Sequence, residues 1–434
     1  MYPQLSPHAK TLYAKLTAFV DEECLPAEVV YERQHAELSS RWMIPEIIET
    51  LKGKARKLGL WNLFMMERDV YHSGLNMVEY AVLSEVMGRS FLAPEACNCN
   101  APDTGNMEVL AKYGNARQQA QWLNPLMEGS IRSTFLMTEP GVASSDATNI
   151  ATSFRREGDE YVVNGRKWWS SGAMDPRCQV ALVLGKVDSP VTAAAPRHRQ
   201  HSILIVPMAT PGVKVLRALS VFGFDDAPHG HAEVELAEVR VPVSNLILGE
   251  GDGFKIAQGR LGPGRIHHCM RAIGLSERVL ALATMRALTR RAFGKEIARQ
   301  GAVQRDLAQC RISVDQARLL VLHAAWRMDT NKGAKGAQQE IAMIKVVAPS
   351  AGQQVVDTAI QIHGGMGVCQ DTILARAFAY MRSLRIADGP DDVHMRTVAR
   401  YELKKAMEGA TGPAADAWYR SGGEFAKENG QSRL

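Results

Sequence analysis

Tyr161-Val162-Val163-Asn164-Gly165-Arg166-Lys167-Trp168-Trp169-Ser170-Ser171-Gly172 is the stretch whose reading decides the fold. Three β-favouring residues run into Asn-Gly, the dipeptide that marks a tight hairpin turn, and two tryptophans and two serines follow. Adjacent residues of a strand face opposite ways, so one tryptophan is expected inside and the other outside. The same texture extends from Ile131 to about Leu248. Short apolar runs, Ser133 to Met137, Val180 to Leu184, Ile203 to Val206 and Val234 to Leu236, alternate with turn residues, and Gly158-Asp159 is a further hairpin signal. Asp188 to His201, with its prolines and alanine run, reads as an exposed loop. Residues 131–248 are therefore predicted to form a compact middle β unit.

Helical periodicity lies on both sides of it. In residues 1–130, Ile47, Ile48, Leu51, Ala55 and Leu58 keep helical spacing, as do Val78, Val82, Leu83 and Val86 before a stop at Gly88. In residues 249–408, one stripe begins at Ile266, Met270 and Ile273, and another runs through Ile341, Ile344, Ala348, Ala351, Val355, Ala359 and Ile362. Residues 409–434 are polar and glycine-bearing and read as a loose tail. The order of helices, strands and helices predicts an α+β chain without internal repeats.

Composition narrows the function. The 434 residues are 46% hydrophobic, enough for a substantial core, and the net charge of +5 is too small and dispersed to argue for nucleic acid. No apolar run is long enough to span a bilayer, and Met1 to Asp21 lacks the apolar core of a secretory signal. The 7 cysteines are scattered, which fits a reducing cytoplasm better than a disulfide framework. There is no phosphate loop, no complete dinucleotide fingerprint, no H-E-x-x-H and no nucleophile elbow. Cys97-Asn98-Cys99 and His267-His268-Cys269 lack the spacing of a shared metal, so no metal is expected.

Four segments, taken together and in order, resemble the acyl-CoA dehydrogenase family of flavoenzymes. They are Phe135 to Asp146 (Phe-Leu-Met-Thr-Glu-Pro-Gly-Val-Ala-Ser-Ser-Asp), Asn164 to Gly172, Arg290-Arg291-Ala292-Phe293-Gly294-Lys295, and Gln361-Ile362-His363-Gly364-Gly365-Met366-Gly367. The link from Val239-Arg240-Val241-Pro242 to Gly253-Phe254 matches as well. Ala387-Asp388-Gly389-Pro390-Asp391-Asp392-Val393-His394 and Arg260 to His268 resemble the subgroup that contains the vertebrate family members ten and eleven. In mammals such proteins carry a kinase-like module, and the present length is expected to be a stand-alone version. The resemblance implies an N-terminal helical domain, a middle β-barrel-like domain and a C-terminal four-helix bundle.

It also implies a chemistry. The family removes two hydrogens from the α and β carbons of an acyl-CoA thioester: a carboxylate takes the α proton and FAD takes the β hydride. Asp388 stands where the best-known members carry Glu, with Gly389 letting the backbone turn beside it, and a dry pocket would raise its pKa. By the same resemblance, Phe135, Met137, Thr138 and Ser144 line the flavin on one side, and Trp169, Ser170 and Ser171 on the other. Arg290, Phe293, Gln361, Gly364 and Gly365 would reach the flavin of a neighbouring subunit, which implies a homodimer or homotetramer. Pro390 and Asp392 belong to the flavin-contacting turn; Ser144, Arg265 and Gly389 to the substrate site. Arg265, His267 and His268 would form a cationic rim for a modified acyl chain, such as a 4-hydroxy or phosphorylated one. An electron-transfer flavoprotein is the implied acceptor. An acyl-CoA oxidase or flavin monooxygenase on the same scaffold, and a non-catalytic acyl-CoA-binding scaffold, remain open at this point.

Overall fold

The computed structural model describes residues 4–66, 72–331 and 333–409; the expected tail falls outside the described residues beyond Gly409. The chain opens with α1 (Pro7–Phe19), which passes through one wide turn into α2 (Leu25–Glu37). Ser6 caps α1 by accepting from the Ala9 amide, and Pro7 begins it, where its missing N–H costs nothing. Next come α3 (Glu46–Leu58), which buries Ile48, Leu51 and Ala55, and α4 (Met77–Gly88), opened by a capping box of Asn76 and Glu79. α5 (Asp103–Tyr113) follows, ending before Gly114. The helical reading of this region holds. Helix α4 serves two cores at once: Tyr80, Leu83 and Met87 pack among the N-terminal helices, and Met77 and Ala81 pack into the C-terminal bundle.

The middle unit is one seven-stranded sheet: β1 (Arg132–Leu136), β2 (Ser153–Glu157), β3 (Glu160–Ser171), β4 (Cys178–Asp188), β5 (His201–Pro207), β6 (Val213–Leu219) and β7 (His231–Pro242). Its order is β1-β4-β2-β3-β7-β6, with β5 on the other side of β4. Pairs β1–β4 and β2–β4 run parallel and the rest antiparallel. The sheet folds over a core that includes Leu136, Phe154, Tyr161, Val183, Val206 and Val234. Strands β2 and β6 escaped the sequence reading because both are largely exposed and carry one buried residue each, Phe154 and Leu219.

One hairpin expectation holds and the other does not. Gly158-Asp159 does join β2 to β3, with Glu157 opposite Glu160. Asn164-Gly165 is not a turn; it lies inside β3 at a bulge, where Asn164 exchanges two hydrogen bonds with Glu238. Glycine is needed there for space, because a Cβ on Gly165 would sit 2.2 Å from Oγ1 of Thr152.

The C-terminal region is built from α6 (Gly253–Thr289), α7 (Gly301–Thr330), α8 (Gln338–His363), α9 (Leu374–Leu384) and α10 (Asp391–Gly409). Helices α6, α7 and α8 pack on one another and α10 lies along α8, giving the bundle. Both expected stripes, in α6 and α8, face the core, with Ala351 and Ile362 half-buried and the rest buried. Among the described residues no helix is long and apolar enough to cross a membrane, and no group of His, Cys, Asp and Glu could hold a metal ion.

Candidate active site

The three regions enclose a cavity of about 2650 Å³. An ordinary small-molecule site is roughly 300–1,000 Å³, so this one has room for two large ligands side by side. Its two principal walls are a face of the sheet and a face of α6 with the turn after α9.

On the sheet wall, Phe135, Met137, Thr138 and Ser144 line the cavity, together with Trp168, Trp169 and Ser171 from β3. The expected alternation of the tryptophans fails here. The register of β3 slips between Lys167 and Ser170, and Trp169 takes a φ of 50°. This bulge turns both indoles and Ser171 toward the cavity and Ser170 away from it, so Ser170 is buried behind the wall. Trp169 is 41% exposed, a broad flat face; the indole N–H of Trp168 is buried without a partner. The loop after β1 is fixed from behind. The fully buried Lys167 ammonium donates to Glu139 (2.8 Å), to Met137 O (2.9 Å) and to Leu184 O (2.7 Å). Glu139 in turn accepts from the Ala151 and Thr152 amides, each at 2.8 Å. Burial brings the Lys167 pKa down to about 8, with Glu139 opposing it.

The other wall carries Asp388 on a tightly held turn. Asp388 itself has a φ of 57° and Gly389 one of 104°, and a Cβ on Gly389 would meet the His394 ring at 2.8 Å, so the glycine is obligatory. The carbonyls of the turn are clamped one by one. The buried Lys345 ammonium of α8 donates to Leu384 O and to Ala387 O (2.7 Å). Arg265 donates twice to Asp388 O (2.9 and 3.1 Å), and the His394 ring lies 3.2 Å from the same oxygen. The carboxylate is left open to the cavity, its side chain 24% exposed, with Nε2 of His268 at 3.7 Å.

The electrostatics differ from expectation. A dry pocket was expected to raise Asp388, and burial does pull it upward. His268, Lys345, Arg265 and Arg260 pull harder the other way, and the net direction is below the usual carboxylate range. His268 is itself pushed down to about 3 by burial, and burial drives His267 well below its ordinary value. Burial thus disfavours a charge on both histidines, so of the expected rim of Arg265, His267 and His268 only Arg265 is a cation, joined by Arg260 and Arg271. His267 packs edge-on against Tyr80, 4.7 Å between ring centres. Arg260 stacks over Phe135 at 4.2 Å and donates to Asn106 Oδ1 (3.2 Å) and Pro102 O (3.4 Å). Arg271, only 6% exposed, donates to Cys99 O and Asn100, and its Nη2 is buried without a partner.

The family models described as acyl-CoA dehydrogenase N-terminal, middle and C-terminal domains match residues 6–130, 134–239 and 251–403 in turn. This chain belongs to the acyl-CoA dehydrogenase family. It is 54% identical over 404 residues to mouse acyl-CoA dehydrogenase family member 10, covering 92% of this chain and 37% of that protein. It is 52% identical to human family member 11, covering 90% of this chain and 50% of that protein. The chain thus spans half or less of the length of those relatives. Over 403 residues it is 51% identical to probable acyl-CoA dehydrogenase FadE2 of Mycobacterium tuberculosis, covering 92% of this chain and 97% of that one. A solved structure from Mycobacterium abscessus with an acyl-CoA dehydrogenase description superposes with a TM-score of 0.89 at 50% identity, covering 93% of this chain and all of that one. Butyryl-CoA dehydrogenase from Megasphaera elsdenii, at 24% identity and a TM-score of 0.77, shares the fold.

In this family member the cavity gathers Phe135, Met137, Thr138, Ser144, Trp169, Ser171, Arg265, Asp388, Gly389 and Pro390 from the sequence reading. Ser170 and Asp392 lie outside it. So do Arg290, at the end of α6, Phe293, 98% exposed in the hairpin beyond, and Gln361, Gly364 and Gly365 at the exposed end of α8. Sequence reasoning missed Trp168, Arg260, Arg271, Lys345, His231 and Asp226. Lys345 had a usable signal: it interrupts the apolar stripe of α8 between Ile344 and Ala348, where a charge must have a buried partner.

Proposed function

We propose that the chain is an FAD-dependent acyl-CoA dehydrogenase that converts an acyl-CoA to the trans-2-enoyl-CoA, with Asp388 as the base. The observation that carries this is the Asp388 turn: an ionised carboxylate, open to a cavity sized for two large ligands, on a backbone clamped by Lys345 and Arg265. The sheet wall fits a flavin. It offers a flat indole face in Trp169, an unpartnered buried N–H in Trp168, and the hydroxyls of Thr138, Ser144 and Ser171. When bound, FAD supplies the acceptor for the β hydride. Asp388 takes the α proton; Arg265, Lys345 and His394 keep its backbone from moving as it does so. Arg290, Phe293, Gln361, Gly364 and Gly365, remote from their own cavity, belong in this reading to the cofactor site of a second subunit in a homodimer or homotetramer. Electron-transfer flavoprotein is the proposed acceptor, and the cytoplasm the proposed location, in keeping with 6 buried, unpaired thiols.

The substrate is proposed to carry a polar substituent, a 4-hydroxyl or a phosphate. Among the described residues Arg260 and Arg271 have no carboxylate in ion-pair contact, and both border the cavity.

An anaerobic titration of the FAD-loaded protein, following flavin absorbance, tests the reading. Plain, 4-hydroxy- and 4-phospho-acyl-CoAs are compared, and bleaching strongest with a substituted chain is expected. Bleaching by plain chains alone would remove the substituent, and a protein that no acyl-CoA bleaches would remove the dehydrogenase. Rapid recovery of colour in air without an acceptor protein would make it an oxidase.

A further inference from the structure

Along the sheet wall, three polar side chains stand in a line that proton abstraction leaves without a task. The Ser171 hydroxyl lies 2.8 Å from Nδ1 of His231, and Nε2 of the same ring lies 3.2 Å from Oδ2 of Asp226. The sheet itself sets the first contact, because Ser171 and His231 are direct cross-strand partners of β3 and β7. Asp226 precedes β7 in a strained loop, at a φ of 52°, where its own carbonyl accepts from the Gly230 amide. Its second oxygen faces Arg376 of α9 at 3.7 Å, and the Trp169 ring leans on His231 at 5.9 Å. All three members of the line border the cavity.

Hydrogen-bond logic fixes the direction of the line. Burial works against the charge of Asp226, but His231 and Arg376 outweigh it and hold the carboxyl below its usual range. An ionised carboxylate only accepts, so Nε2 of His231 carries a hydrogen. With a single ring hydrogen, held on Nε2 by Asp226, Nδ1 is a bare lone pair and the one hydrogen of Ser171 goes to it. The hydroxyl therefore offers the cavity lone pairs and no hydrogen.

We propose that Asp226 and His231 are positioning residues that fix the Ser171 hydroxyl as an acceptor toward the cofactor, favouring the reduced flavin over the oxidised one. Reduction places an added N–H on the flavin; an acceptor-only oxygen suits that form, and a donor suits the oxidised form. The inference rests on the flavin reading above. A matched against a mismatched hydrogen bond corresponds to a change of about tenfold in the relative binding of the two redox forms. For a two-electron couple, tenfold is about 30 mV.

The test is the midpoint potential of FAD bound to the full-length protein and to Ser171→Ala, His231→Phe, Asp226→Asn and the Ser171→Ala/His231→Phe pair. The expected result is a potential lowered by about 30 mV in Ser171→Ala and in His231→Phe, with the pair no lower than Ser171→Ala alone. Asp226→Asn, at a half-exposed site and so the safer variant for folding, is expected to move in the same direction by less. Flavin-loaded His231→Phe and Asp226→Asn with the wild-type potential would overturn the inference while leaving the flavin reading intact. A protein that takes up no FAD would overturn both. Hydrolysis of an acyl-CoA to free CoA, lost in Ser171→Ala, would assign the line to acyl transfer and overturn the inference as well.

Discussion

Each wall of the cavity is backed by a buried lysine, and the two lysines are partnered differently. Lys167, behind the sheet wall, is matched by the Glu139 carboxylate, and Asp226 at the edge of that wall faces Arg376, so its charges are met within the protein and the face between them is aromatic and hydroxyl groups. Lys345, behind the helical wall, meets only main-chain carbonyls among the described residues, and Arg265 and Arg260 beside it are likewise held by neutral acceptors. Charge that is not cancelled within the protein acts on what faces it. The helical wall therefore keeps Asp388 ionised and suits anionic ligand groups, and the sheet wall suits an uncharged ring system.

The sharpest way to break this contrast is to unpair Lys167. Glu139→Ala should destabilise the protein by about 3–5 kcal/mol in urea unfolding, because a buried ammonium loses its only carboxylate. Lys345→Met should cost less, about 1–3 kcal/mol, since it leaves uncharged carbonyls unmatched. Equal losses would erase the distinction between the walls. Lys345→Met should also raise the acid limb of the pH–rate profile. The Asp388 pKa is depressed in the folded protein, so its basic form persists above that value and is lost only as pH falls through it; wild-type kcat/KM should be flat from pH 7 to pH 5. Removing one of the cations that depress it moves the limb upward. The smallest expected effect is selective: Arg271→Met should weaken turnover of a phospho-acyl-CoA about tenfold, roughly 1.4 kcal/mol, and leave a plain acyl-CoA unchanged in a direct kcat/KM comparison.

Much of this was legible in the sequence, and the failures have physical reasons. The helices followed from periodicity because their buried faces are continuous, as in Ile341 to Ala359 of α8. Asp388 and Gly389 were picked out by the family resemblance, and the left-handed turn they form uses glycine beside the acid. Asn164-Gly165 misled because the pair serves equally at a bulge crowded by Thr152. The two tryptophans misled because one residue of slip cancels strand alternation. Lys345 and Arg271 went unread because their partners are mostly main-chain atoms, which no side-chain motif records, and His231 because the Ser171 it meets lies 60 residues away on another strand.

The most direct test of the central claim is the rate at which a bleaching acyl-CoA reduces FAD-loaded Asp388→Asn, measured by anaerobic stopped flow beside the wild type. The expected result is unchanged FAD content and a rate lower by about 10²–10⁴-fold, the usual worth of a positioned base. A variant that bleaches at the wild-type rate would contradict it, and the base would have to be sought elsewhere on the cavity wall.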